Sequence, residues 1–77
     1  MKIKYDSEVD ALYIELRDIL AAKNIDIEEG VTIDLDKDGH IVGIEILDAQ
    51  EKLKGSLAQL EINEIPWKKS KSLVKSR

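Results

Sequence analysis

Asp34, Asp36, Asp38 and Glu45 form the densest concentration of chemically capable groups in the chain. With Gly39 between them they satisfy the calcium-loop pattern D-x-[DN]-x-[DN]-G-x5-E. Calcium takes about six to eight oxygen ligands, and four carboxylates in one short segment are the right donor type. Ile41 even supplies an apolar residue two positions after the glycine. Such a loop, however, needs a helix on each side. Here Val31, Thr32 and Ile33 precede it and the stretch from Ile41 to Leu47 follows, both β-branched and alternating with period two. The preferred reading is an acidic, solvated hairpin turn, with calcium binding through these four residues as the alternative.

Other chemistry is sparse. Asp34 and Glu45 fall on one strand face and would serve as an acid/base pair only where a cleft raised one of their pKa values. His40 is the single histidine, beside the turn, and there is no cysteine. A His-rich metal triad, a thiolate metal site and a Cys nucleophile are thereby excluded. Ser7, Ser56, Ser70 and Ser72 sit in turn-like, inter-helical or tail contexts without a nucleophile elbow. No catalytic residue, cofactor or metal ligand is assigned, and an enzyme with a carboxylate site is a further alternative.

The elements that would position these groups begin with the hairpin of residues 31–47. Val31, Ile33 and Leu35 share one face before the bend; Val42, Ile44 and Ile46 share one after it. A two-residue type I′ turn at Asp38-Gly39 pairs Leu35 with Val42, Ile33 with Ile44 and Val31 with Ile46, joining the two apolar faces. A three-residue loop with a glycine bulge would shift pairing by one and set Thr32 and Asp34 among the isoleucines. A four-residue loop keeps the parity.

Upstream, Ile3 and Tyr5, then Leu12, Ile14 and Leu16, alternate with polar neighbours around Asp6-Ser7-Glu8-Val9-Asp10. These read as a first hairpin whose carboxylates serve the turn, Asp6 accepting backbone N–H bonds. Residues 18–30 are ambiguous. Asp18 is placed to cap a helical turn, but Ile25 and Ile27 alternate with Asp26 and Glu28, which predicts a third strand over roughly residues 20–28. After residue 47 the period becomes helical. Asp48 with Glu51 resembles a capping box, and Ala49, Leu53, Leu57 and Leu60 recur at helical spacing across the sheet's apolar face. Gly55 interrupts them, giving one bent helix or two short ones. The expected class is α+β: an antiparallel β-meander of about five strands followed by one or two short C-terminal helices.

The chain has 77 residues, 43% hydrophobic and 4% aromatic with no Phe, so its core is built from Ile, Leu and Val. One β-rich domain over residues 1–67 is expected, with a basic tail over residues 68–77. Through residue 67 there are seven basic residues against all sixteen acidic ones, a net of −9. The tail holds Lys68, Lys69, Lys71, Lys75 and Arg77 and no acid, returning the total to −4. An acidic body repels nucleic acid and anionic membrane, so only the tail could touch phosphate. With no long apolar run and no signal-peptide core in the N-terminal K-I-K-Y-D, a cytoplasmic protein is the default expectation. A chain this short without staples is expected to self-associate, as a homodimer.

The opening K-I-K-Y-D-S-E-V-D-A-L-Y-I-E-L and the block E-E-G-V-T-I-D-L-D-K-D-G-H-I-V-G-I-E-I-L-D-A resemble a family of small prokaryotic proteins. It is known as domain of unknown function twenty-two eighty-three. The resemblance covers residues 2–49 and implies a compact β-meander with a strand over residues 20–28. It implies no established activity, and no catalytic residue can be transferred. Some members look like partners of small toxins. An interaction module therefore suits the chain better than an enzyme: Tyr13 and Ile41 on outer strand faces and Trp67 after Pro66 are the candidate contacts. An antitoxin-like version would have the acidic body bind a basic protein partner.

Overall fold

The computed structural model describes residues 1–63. Its five strands are β1 (Lys2–Asp6), β2 (Ala11–Glu15), β3 (Lys23–Glu28), β4 (Val31–Leu35) and β5 (Ile41–Leu47), followed by helix α1 (Ala49–Leu53) and a 3₁₀ turn, η1 (Lys54–Ala58). All pairings are antiparallel, in the order β1-β2-β5-β4-β3. The α+β class thus stands: five antiparallel strands, then a short helical segment. Hairpin connections join β1 to β2 and run β3–β4–β5 as neighbours. The β2–β3 link instead crosses the end of the sheet, with the Leu16 and Arg17 amides donating to Val42 O and the Ala22 amide to Leu35 O. It takes up residues 16–22, so the third strand starts at Lys23 rather than near residue 20, and Asp18 caps no helix.

The register puts one apolar side chain per strand in line. Ile3 pairs with Ile14, Ile14 with Ile44, Ile44 with Ile33, and Ile33 with Ile25. Directly opposed residues share a face, so five isoleucines cross the whole sheet on one side. A second row on that side runs Tyr5, Leu12, Ile46, Val31 and Glu28. Glu28 reaches it through a bulge between Asp26 and Glu28.

The central hairpin keeps Ile33 opposite Ile44 and Val31 opposite Ile46, but by a different bend from the one expected. The Gly39 amide donates to Asp36 O at 3.0 Å and the Asp36 amide to His40 O at 2.8 Å, which closes a three-residue loop. Gly39 has φ +86°, whereas Asp38 is not in the left-handed region, so the turn is not type I′. Leu35 accordingly faces Ile41 rather than Val42. One register slip is then cancelled by another: Val42 is an extra residue on β5, and from Asp34–Gly43 onward the ladder recovers the expected parity.

α1 and η1 divide at Lys54, whose φ is +52°, so the segment is two short pieces. Leu53, Leu57 and Leu60, with Ile3, Leu12 and Ile14, line a groove of about 440 Å³ between this segment and β1–β2. Asp48 does not cap α1: it is itself left-handed (φ +56°) and makes no side-chain cap bond. The cap comes from Asp10 in the β1–β2 turn, whose carboxylate accepts the Gln50 amide at 3.1 and 3.2 Å while its carbonyl accepts the Ala49 amide at 3.0 Å. Tyr5 and Gln50 close the same cluster: the Tyr5 hydroxyl donates to Asp10 and accepts from the Gln50 amide group. Asp6 does accept the Glu8 amide, as its turn position suggests.

Asp10→Ala is expected to cost about 1–2 kcal/mol, the usual worth of a cap, and to speed amide exchange at Ala49 and Gln50. Asp48→Gly is expected to leave those amides protected, since glycine tolerates the left-handed backbone and no cap is lost. Exchange rates by NMR check both.

Candidate functional site

The two sides of the sheet differ in their central rows. On the polar side, Tyr13, Glu45, Thr32 and Asp26 stand in one row, and Glu15, Gly43, Asp34 and Asn24 in the next. Tyr13 on β2 reaches across β5 and donates to Asp34 Oδ2 on β4 at 2.9 Å. Gly43 is what makes this crossing fit, because a Cβ there would collide with the Tyr13 hydroxyl and come within 2.9 Å of Ile14 O. Partial burial, with the bond to Asp34 and that carboxylate's charge adding to it, raises the Tyr13 pKa above its ordinary value. Asp34 Oδ2 is thereby occupied by a hydroxyl donor.

At the sheet end, Asp36 is the one buried charged residue among the described residues, 5% exposed. Arg17 donates to its Oδ2 at 2.7 Å, and the Asp38 and His40 amides each donate to its Oδ1 at 2.9 Å. Arg17 Nε also donates to Ile41 O at 2.8 Å, so one guanidinium pins both arms of the bend. The bond from Arg17, joined by that from the His40 amide and opposed by desolvation, holds the Asp36 carboxyl well below the usual aspartate range.

The acidic motif is therefore dispersed. Asp34 serves Tyr13, Asp36 serves Arg17 and the turn, and Asp38 lies on the exposed tip beside Lys37. Glu45 is exposed on the polar side of the sheet opposite Thr32 and Tyr13. Among the described residues no three His, Cys, Asp or Glu side chains gather around a point where a metal could sit. His40 is exposed, Ser7 lies in a turn and Ser56 in η1.

Of the candidate contacts, Tyr13 is half-buried and tied to Asp34, and Ile41 is 38% exposed opposite Leu35. Trp67 and the basic residues Lys68, Lys69, Lys71, Lys75 and Arg77 lie outside the described residues. The larger feature is the apolar side, where the helical segment stands over β1 and β2 across the groove and leaves Ile3 45% exposed. Toward β3, Ile25 and Ile27 are 48% and 56% exposed, and no large side chain is fully buried among the described residues. That row could not be read before the strand order was known, and the Arg17–Asp36 and Asp10–Gln50 contacts join segments with no local signature. No helix of the described residues is long and apolar enough to cross a membrane.

Asp36→Asn is expected to lower the melting temperature by several degrees at pH 7. The stability Asp36 supplies is fully present above the ordinary aspartate pKa of about 4 and is lost as pH falls toward its depressed folded-state value. The gap between variant and wild type should therefore narrow steadily below about pH 4 in thermal melts. Gly43→Ala is expected to cost about 1–3 kcal/mol through overpacking and to return the Tyr13 ionisation toward that of a free tyrosine in an ultraviolet titration.

Neither the curated proteins nor the solved structures offer a match to this chain. A family model described as "Protein of unknown function (DUF2283)" matches residues 2–50, the span of all five strands and the start of α1. The chain belongs to that family of proteins of unknown function.

Proposed function

We propose that this protein is a non-catalytic interaction module that self-associates through the apolar side of its sheet. The observation that carries the reading is the isoleucine row. It runs unbroken over five strands, yet Ile3 and Ile25 at its two ends remain 45% and 48% exposed. A continuous apolar row left half exposed at both ends marks a contact site. On the polar side and at the sheet end, Asp34 and Asp36 are engaged by Tyr13, Arg17 and backbone amides. For self-association speaks the thinness of the core: only Leu12, Val42 and Ala49 are buried apolar residues among those described. Small domains of this kind gain stability from a second copy.

Sedimentation velocity from about 1 to about 300 µM, the range in which small interfaces associate, tests the reading. A concentration-dependent shift from monomer to dimer is expected. A single monomeric species throughout overturns it.

A further inference from the structure

Resting on that self-association, we infer that the second copy seats its β3–β4 corner on the open half of this sheet, against the flank of α1 and η1. The two-fold axis then runs parallel to the strands. Sheets packing face to face stand about 10 Å apart. An axis crossing the strands would stack each copy's helical segment on the partner's and hold the sheets farther apart than that. An axis parallel to the strands exchanges the covered and open halves, so each copy's β3 comes over the other's β5, beside the helical segment. Edge-to-edge pairing along β3 is disfavoured by its bulge at Ile27, which interrupts the ladder, and would leave the isoleucine row bare.

Charge agrees with this placement. A two-fold parallel to the strands keeps corresponding strand ends together, so Glu28 of the partner subunit arrives at the end of the sheet where Lys52 lies. Lys52 Nζ donates to Leu47 O at 3.0 Å and hangs over Gly30. Among the described residues neither Lys52 nor Glu28 has an ion-pair partner. Ile25 and Ile27 of one copy cover Ile33 and Ile44 of the other, which their own chain leaves half-buried.

The full chain and three variants, Ile25→Asp, Glu28→Lys and Lys52→Glu, are compared by sedimentation, with circular dichroism confirming that each keeps its strands. Ile25 is exposed in the single copy, so Ile25→Asp is expected to remove the dimer without unfolding the monomer. Glu28→Lys and Lys52→Glu should each weaken self-association several-fold, because each sets like charges together twice. Mixed, the two should recover a heterodimer of wild-type affinity, since both contacts are then of opposite sign. A wild-type dimer indifferent to Ile25→Asp, or a mixture that recovers nothing, overturns this placement and leaves self-association standing. A wild type that stays monomeric overturns both; blue-shifted emission from Trp67, the single tryptophan, would then identify the chain's own C-terminal segment as the cover.

Discussion

Everything in this fold depends on keeping apolar side chains on one side of the sheet through the bend between β4 and β5. A strand changes face with every residue, so one slip in register would send Thr32 and Asp34 inward and the isoleucines out. The loop itself introduces such a slip, because its three residues put Asp36 opposite His40. Val42 removes it again. The extra residue bends β5, and its carbonyl, left out of the β4 ladder, accepts the Leu16 and Arg17 amides from the end of β2. The correction of parity and the anchoring of the β2–β3 link are therefore one structural event.

Asp36 and Arg17 belong to the same event. A bulge beside a tight loop gathers backbone groups that the ladder cannot pair, and a buried carboxylate accepts two of the amides while the guanidinium takes the Ile41 carbonyl. A buried charge that lost its partner would be strongly unfavourable, so the two residues act as a unit. The crossing of β2 to β3 past β5 and β4 requires an attachment at this place. Three of the residues that look like calcium ligands are thus read more economically: one organises the bend, one holds Tyr13 across Gly43, and one is a solvated tip.

Period-two patterning places the five strands, apart from the start of β3, and helical spacing marks the change after residue 47, because each is local; the family is legible in the blocks of residues 2–49 that resemble it. The hairpin register was also legible, since Ile33 and Ile44 must share a face whatever the loop does. The loop type was not. Asp-Gly favours a type I′ turn taken alone, and only the compensating bulge makes the three-residue form acceptable. The cap of α1 was misplaced for a related reason: Asp48 has the right residue type at the right spacing, but the acceptor is Asp10, some forty positions away and brought near by the β2–β5 pairing. Neighbouring hairpins suggested a simple succession of strands, while the order β1-β2-β5-β4-β3 depends on which apolar edges fit once the hairpins have formed.

The magnitude of the uncovered surface gives the isoleucine row its functional weight. Full burial of an isoleucine side chain is worth about 1.5–3 kcal/mol, so each one left half exposed forgoes about 1 kcal/mol. Ile3, Ile25 and Ile27 are all near that point. Together they forgo several kcal/mol, comparable with the roughly 3–5 kcal/mol that a core of this size rarely exceeds. The chain has polar residues suited to solvent on its other side, where Glu45, Thr32 and Asp26 alternate in one row. The same alternation that specifies the fold therefore also leaves, next to α1 and η1, an apolar ledge as wide as two strands, whose exposure is unfavourable until something covers it.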